Sequence, residues 1–540
     1  MRIGLDLDNT LISYDDVFLL AARAKKLIPN GWEGNKTEIK EFLRSGQNGE
    51  EVWKTLQGQV YSRWIEQAVL VPGVSWFLYR CRAREVLVYI VSHKTKYGHN
   101  DPERMPLRDV ALSWMREKGF FDADVFGLRP ENIYFESTRE SKVRRIEGLA
   151  CTHFVDDLPE VFAEPEFPCD IKKILYAPWH GYPDLPSDVT RYSNWYEIAE
   201  VILGPEKDGD LLNVAKMITD DPTLESCRLA GSGGNSQVYR ADNSKGNVVA
   251  LKRYPISHTD KRDRLGTELV GSRFLHRHGI DIVPRAIKTS RSTNITVFEW
   301  IYGEPVKTPR EEDLSQAILF IEKVNKAKHL EGASSIKLAS EACISGKELF
   351  NQIDNRRCQL RTMSDQLPDL QILLDQVIDP LWDRLRTEIQ ARWPPDVEFD
   401  KQLEPEYQTL SPSDFGFHNA LREKSGRLRF LDLEYFGWDD PVKLTSDFLW
   451  HPGISLREEQ KTVWVNAMTV IFANDYNFVS RLNLLYPCYG LRWALIVLNV
   501  FLEMGHLERQ NLKYQHVQLH KSCELCDRVI DWVDSKQKFS

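Results

Sequence analysis

No stretch of the chain approaches 18 consecutive apolar residues, so a membrane-spanning helix is not expected. The first residues, Met-Arg-Ile-Gly-Leu-Asp, lack the apolar segment of a leader, and no secretory signal is expected there. Cysteine is scarce and scattered, nine in 540 residues, at 81, 151, 169, 227, 343, 358, 488, 523 and 526. An odd, irregular set excludes a disulfide framework and fits reduced thiols in a cytoplasm. Positive charge is not in excess: 70 Lys and Arg stand against 79 Asp and Glu, a net charge of −9. That argues against a nucleic-acid partner held by bulk charge, and neither nucleic acid nor membrane is expected as a partner. Gly-x4-Gly-Lys-Ser/Thr occurs nowhere, which disfavours a P-loop kinase of the nucleic-acid end-repair sort. There is no internal repeat and no low-complexity tract.

What remains is ordinary for a soluble globular protein: 42% hydrophobic and 28% charged residues. At 540 residues the chain is too long for one core, and about three or four domain-sized pieces are expected. Chemistry concentrates at its two ends. Arg2-Ile-Gly-Leu-Asp6 reads as a short apolar strand that delivers a carboxylate at its C-terminal end, where open α/β sheets place ligands. Asp8 and Thr10 follow. One carboxylate of such a pair can attack phosphorus while the other protonates the leaving oxygen and later activates water. By itself the motif also fits a polar turn after a strand.

Three further pieces follow in order. Val86–Val91 is a buried-strand pattern ending at Ser92, whose hydroxyl can bond a phosphoryl oxygen. Lys142 sits with Arg144 and Arg145 on an expected helix; its ammonium can neutralise developing charge, or it belongs to a solvated basic face. His153-Phe-Val155 is a strand ending in Asp156-Asp157, suited to a hard cation such as Mg²⁺. Strand-acid, strand-Ser, Lys, strand-acid-acid resembles the haloacid dehalogenase superfamily of phosphohydrolases. The resemblance implies a Rossmann-like domain over 1–204, with Asp6 as nucleophile and Asp8 as general acid/base. Ser92 and Lys142 would then hold phosphate. Mg²⁺ would sit on Asp6, the Asp8 carbonyl and Asp156, with Asp157 a neighbouring or alternate ligand. Amphipathic patterns around Val17–Leu27 and Glu51–Ala68, with Trp53 and Trp64 at core spacing, read as a helical insertion at about 15–70. In the resembling family such an insertion is a cap that closes over substrate. His93 and Lys94 follow Ser92 and fit either substrate contact or plain loop.

Leu203-Gly-Pro-Glu-Lys-Asp-Gly-Asp210 reads as a boundary, giving a linker at 205–220 that includes a connecting helix near Leu211–Thr219. Leu229-Ala-Gly-Ser-Gly-Gly-Asn235 is then a Gly-rich turn between strands, where Gly231, Gly233 and Gly234 allow phosphates close to backbone N–H groups. Val248–Lys252 is an apolar strand with one Lys, Glu268 lies on a helix pattern, and Thr296–Glu304 has the form of a strand leading into a hinge. Ser411-Pro-Ser-Asp414-Phe-Gly-Phe-His-Asn419 and Phe430-Leu-Asp432 complete the set. Phosphoryl transfer from ATP needs one carboxylate to take the acceptor's proton, and an Asn plus an Asp to hold magnesium.

In this order the pieces resemble the aminoglycoside phosphotransferase and choline-kinase branch of the protein-kinase-like superfamily. The resemblance implies a bilobal domain over 221–540, with an N-lobe at about 221–305 and a helical C-lobe at about 306–540. ATP would lie on Gly231, Gly233, Gly234, Lys252, Glu268 and the hinge at Glu299 and Ile301; Asp414 would be catalytic, and Asn419 and Asp432 would hold Mg²⁺. Neither Asp-Phe-Gly after the strand nor Ala-Pro-Glu is present, unlike protein kinases, which favours a small-molecule acceptor over a protein. Two departures from the resembling branch stand out: Pro412 occupies the place where the family usually has a loop-bracing His, and the Gly-rich loop is short.

The remainder reads as helices: Leu314–Ala327, Leu370–Trp393, Trp464–Asn474, Trp493–Leu502 and Ser522–Val533. His516, His520, Cys523 and Cys526 share a helix side, but one straight helix cannot wrap four ligands around one zinc, so a core face is expected. The expected fold is multidomain, α/β plus α+β. The expected function is a bifunctional Mg²⁺-dependent phosphatase and ATP-dependent hydroxyl kinase acting on a sugar, polyol or amino alcohol. The alternative is a phosphatase with a non-catalytic, nucleotide-binding kinase-like module.

Overall fold

Arg2–Leu5 pairs in parallel with Leu87–His93 on one side and His153–Asp156 on the other. Around this centre a parallel sheet of six strands runs Ile133–Glu136, Leu87–His93, Arg2–Leu5, His153–Asp156, Lys172–Tyr176, Val189–Tyr192. Ile3, Leu5, Ile90 and Phe154 are buried, as expected of strands covered on both faces by helices. The computed structural model describes the chain except residues 30–31, 33–34, 99–103, 124, 179–185, 233–235, 256–261, 292, 365–366, 394–397, 504–511 and 540. It forms two compact units, Met1–Lys261 with Lys288–Val297, and Arg262–Ile287 with Phe298–Ser540.

In the first unit, a two-stranded neck of Ile12–Ser13 against Val69–Leu70 leads out of the sheet. Beyond it lie the helices Asp15–Ala24, Lys36–Arg44 and Gly49–Val60, in the region where the insertion is expected. Their core centres on Phe18 stacked on Trp53, ring centroids 5.1 Å apart. Lys36–Arg44 starts on a capping box, Asn35 with Glu38, which satisfies its first free N–H groups.

The expected linker contains the helix Asp208–Thr219 and is firmly packed. Arg84 Nε donates to Asp210 Oδ1 at 2.8 Å. Leu211, Val214, Ala215 and Ile218 join one apolar core that takes in Val74 and Phe77 and continues through Cys227, Tyr239, Ala241, Leu251 and Val297. Packing therefore carries the first unit past residue 204 to 261. Strands Ser226–Ser232, Gln237–Asp242 and Val248–Arg253 lie in this added part. They belong to a five-stranded sheet ordered Ala286–Ser290, Ile295–Glu299, Val248–Arg253, Gln237–Asp242, Ser226–Ser232, of which residues 286–287 and 298–299 are counted with the second unit.

The second unit is mainly helical. The helix Glu311–Ala327 agrees with the apolar period. The expected run Leu370–Trp393 is present as continuous helix from Pro368 to Arg392, with a π turn at Leu374–Ile378 between Pro368–Leu373 and Asp379–Arg392. The expected helix from Trp493 begins at Phe478 instead and runs to Val497. The stretch Phe478–Leu502 is long and apolar enough to cross a membrane, yet 72% of its apolar window is buried inside the protein. Arg481 pairs there with Asp440 and Asp475, and Arg492 donates to Gln352, so it serves as the central helix of this unit. The last helix, Leu512–Asp534, buries Cys526 and leaves His516 and His520 exposed, so these residues form no common metal site.

Candidate active sites

The sheet order puts the carboxyl ends of three neighbouring strands together, and with them Asp6, Ser92 and Asp156. Lys142, on the helix Arg139–Gly148, reaches in behind them and is buried. Its Nζ donates to Asp6 Oδ1 and Asp156 Oδ2, each at 2.6 Å. The solvated basic face is thus the place of Arg144 and Arg145, both exposed, and not of Lys142. Thr10 Oγ1 donates to Asp157 Oδ1 at 3.2 Å. Ser92 Oγ is buried with no hydrogen-bond partner among the described residues, a hydroxyl that a bound ligand would satisfy.

Oxygens of Asp6, Asp156 and Asp157 lie within 4.8 Å of one another. Burial pushes the Asp6 carboxyl well above its usual range against the pull of Lys142, with Asp156 and Asp157 adding to the rise. Burial and Asp156 push Asp157 up to about 7. Burial opposes the Lys142 charge, but Asp156 and Asp6 together raise its pKa. This is a buried oxygen cluster short of positive charge, the donor set that a hard divalent cation fits. The Asp8 carboxylate is not in that group. Tyr14 OH donates to its Oδ1 at 2.7 Å, and Lys94 Nζ reaches Oδ2 at 2.7 Å. Only the Asp8 carbonyl, the part named in the sequence-based expectation, is left for a cation. His93 points elsewhere, with Nε2 at 3.0 Å from the Ser137 carbonyl.

In the second unit the strand Thr409–Ser411 leads into Ser413, at φ +66°, and Asp414. Phe415 anchors the loop in an aromatic cluster with Phe320, Phe430 and Phe448. Gly416 leaves room for its neighbours: a Cβ there would stand 2.1 Å from Ile454 Cδ1 and 2.9 Å from His418 Nδ1, so both side chains would have to shift. Ala420–Arg422 and Leu428–Phe430 form a hairpin with Ala420 opposite Phe430. Asn419 and Asp432 therefore emerge from one end of it, and Leu431 N donates to the Asn419 carbonyl at 2.7 Å. Asn419 Nδ2 donates to the Asp414 carbonyl at 3.1 Å, which leaves its Oδ1 available to a cation. Asp432 shares a carboxylate group with Glu268 and Glu434, oxygens within 4.8 Å. The acid and amide pattern fits Mg²⁺ here too. Burial pushes Asp414 up, but His418, His451 and Lys443 together hold its carboxyl below the usual range.

The other expected nucleotide contacts are spread out. Gly233 and Gly234 lie outside the described residues; Gly231 sits in a strand opposite Val238. Lys252 is buried, its Nζ 5.2 Å from the Tyr254 ring centre. It belongs to the first unit and Glu268 to the second. Glu299 is taken up by its own unit: its Oε1 accepts from Arg285 N at 2.9 Å and from Arg429 Nη2 at 2.5 Å. Ile301 is buried. Sequence reasoning passed over Tyr14, His418, His451 and Lys443. His418 stands inside the quoted loop, four after Asp414, and was open to notice; His451 comes 37 positions after Asp414 with no local signal.

A scan against protein-family models finds no match, and no curated protein matches either. Among solved structures the chain is similar to choline kinase from Cryptosporidium parvum Iowa II, at 13% identity and a TM-score of 0.38, over 57% of this chain and 90% of that one. It is similar to a Plasmodium vivax ethanolamine kinase at 13% identity and TM-score 0.39, over 59% and 89%. It is also similar to spectinomycin phosphotransferase, APH(9)-Ia, in complex with ADP and spectinomycin, at 12% identity and TM-score 0.44, over 60% and 98%. At such scores these are likenesses only, and the chemistry rests on the side chains.

Proposed function

We propose that the chain carries two phosphoryl-transfer sites with opposite tasks. The first, within 1–204, hydrolyses a small phosphate monoester. A carboxylate oxygen of Asp6 attacks phosphorus, the ester bond breaks, and the leaving oxygen takes a proton from Asp8. Water, activated by Asp8, then releases phosphate from the aspartyl phosphate. Ser92 and Lys142 hold the phosphoryl oxygens. Asp6, Asp156, Asp157 and the Asp8 carbonyl would hold Mg²⁺, which supplies charge neutralisation to the phosphoryl group. The second site, in the second unit, transfers phosphate from ATP to a small-molecule hydroxyl. Asp414 takes the hydroxyl proton, and Asn419 and Asp432, with Glu268 in the same carboxylate cluster, would hold the cation that neutralises the phosphates. A sugar, polyol or amino alcohol in a cytoplasmic biosynthetic route is the substrate class we favour, with no nucleic acid or membrane involved.

The observation that carries this reading is the convergence of Asp6, Lys142 and Asp156, with Lys142 Nζ at 2.6 Å from both carboxylates. Supporting the second site, Asn419 and Asp432 leave one hairpin end beside the Asp414 loop. The test is magnesium-dependent phosphate release and ATP consumption by the intact protein against sugars, amino alcohols, nucleosides and their phosphates. One compound phosphorylated and a related phosphate hydrolysed is the expected result. ATP binding with no acceptor turned over, beside phosphatase turnover, overturns the kinase half and leaves a nucleotide-sensing module.

A further inference from the structure

Asp414 is flanked by two imidazoles that the proposed reaction has not yet used. His418 Nε2 lies 3.2 Å from Asp414 Oδ1. His451 Nε2 lies 3.6 Å from the same oxygen. The two rings are stacked, centroids 3.7 Å apart and planes 8° from parallel. His451 is fixed from behind: its ring meets the Trp493 ring edge-on at 4.5 Å, and its Nδ1 accepts from Gly453 N at 3.0 Å. That backbone bond assigns the His451 proton to Nε2, which at 3.6 Å stands just outside hydrogen-bond distance of Asp414 Oδ1. One ligand atom from each of Asp414, His418 and His451 lies within 4.8 Å of the others. But His451 Nε2 carries a proton and has no lone pair for a metal, so His418 hydrogen-bonds Asp414 and His451 braces it by stacking. Pro412 offers no side-chain donor from the other side of the loop. Asp414 Oδ2 accepts a long hydrogen bond from Asn419 Nδ2 at 3.5 Å.

We infer that His418, held in place by the stacked His451, is the positioning residue for Asp414, occupying Oδ1 so that Oδ2 is presented to the acceptor hydroxyl. This rests on the kinase reading of the second unit. An oriented base gains its rate from geometry in the transition state, so losing the donor lowers kcat more than it weakens substrate binding.

The experiment compares His418→Phe, His418→Gln, His451→Phe and Asp414→Asn in the full chain, measuring kcat and acceptor and ATP KM, with thermal melting alongside. His418→Phe keeps a stacking ring and loses the donor; kcat is expected to fall about 10- to 100-fold with both KM values within about threefold. His418→Gln restores an N–H and recovers most of that loss. His451→Phe preserves the stack and costs less than His418→Phe. A His418→Phe variant that melts normally and keeps wild-type kcat overturns the inference, as does a Gln variant no better than Phe. If Asp414→Asn itself retains turnover, the kinase reading fails first, and the two failures are distinguished.

Discussion

Lys142 and Ser92 are built in opposite ways, and their variants separate structure from chemistry. Lys142 is a buried cation between two buried carboxylates. Lys142→Met leaves Asp6 and Asp156 facing each other without it, a loss of about 3–5 kcal/mol by the usual cost of breaking a buried pair. Thermal melting of the first unit is expected to drop accordingly, and phosphatase activity to vanish; an unchanged melt contradicts the burial argument. Ser92 Oγ has no hydrogen-bond partner to lose among the described residues. Ser92→Ala is therefore expected to leave the melting temperature unchanged or raise it, while kcat/KM for phosphate esters falls on the order of 10²-fold. The acids at 6, 8, 156, 414 and 432 were legible in the sequence because each ends an apolar strand or stands in a tight polar loop. Tyr14, Lys94 and His451 were not legible as partners of those acids. Their roles come from helix and loop placement over distances that no local pattern encodes.

At the scale of elements, the central helix Phe478–Val497 is set by one close approach. A Cβ at Gly490 would stand 2.5 Å from Val529 Cγ2 and 2.8 Å from Trp450 ring atoms. Gly490→Ala is expected to destabilise the second unit by about 1–3 kcal/mol, read as a lower denaturation midpoint, because the neighbours are packed side chains. The start of this helix was illegible because Arg481 and Arg492 interrupt the apolar pattern; only the fold supplies Asp440, Asp475 and Gln352 to receive them. Likewise the π turn at Leu374–Ile378 sits within a continuous helix and leaves the apolar period nearly intact, so only the helix and not the turn was legible. Glu341 is a further device of this unit. Burial raises its pKa, but Arg356, Arg492 and Arg262 outweigh that and bring it from 4.5 down to about 2. A folded value below the usual one stabilises fully above pH 4.5 and loses that contribution as pH falls toward 2. Glu341→Gln is expected to flatten the acid side of the stability curve across that window, and an unchanged slope contradicts the assignment.

At the scale of the whole molecule, three central strands of the parallel sheet, those leading to Asp6, Ser92 and Asp156, and the helical second unit were readable from strand-acid spacing and helical period, while Ile133–Glu136, Lys172–Tyr176 and Val189–Tyr192 were not. The packing boundary was not. Gly and Pro at 204–205 mark a turn, while Leu211, Val214, Ala215 and Ile218 just beyond it continue the core of the first unit. Composition registers the turn and cannot register what the next helix packs on. The two proposed chemistries share one chain and are independent of each other. The most direct measurement assays phosphate-ester hydrolysis and ATP-dependent phosphorylation side by side in Asp6→Asn and Asp414→Asn. Asp6→Asn is predicted to lose hydrolysis by at least about 10³-fold and keep phosphorylation, and Asp414→Asn to do the reverse. Either variant retaining both activities, or losing both while still folded, contradicts the account.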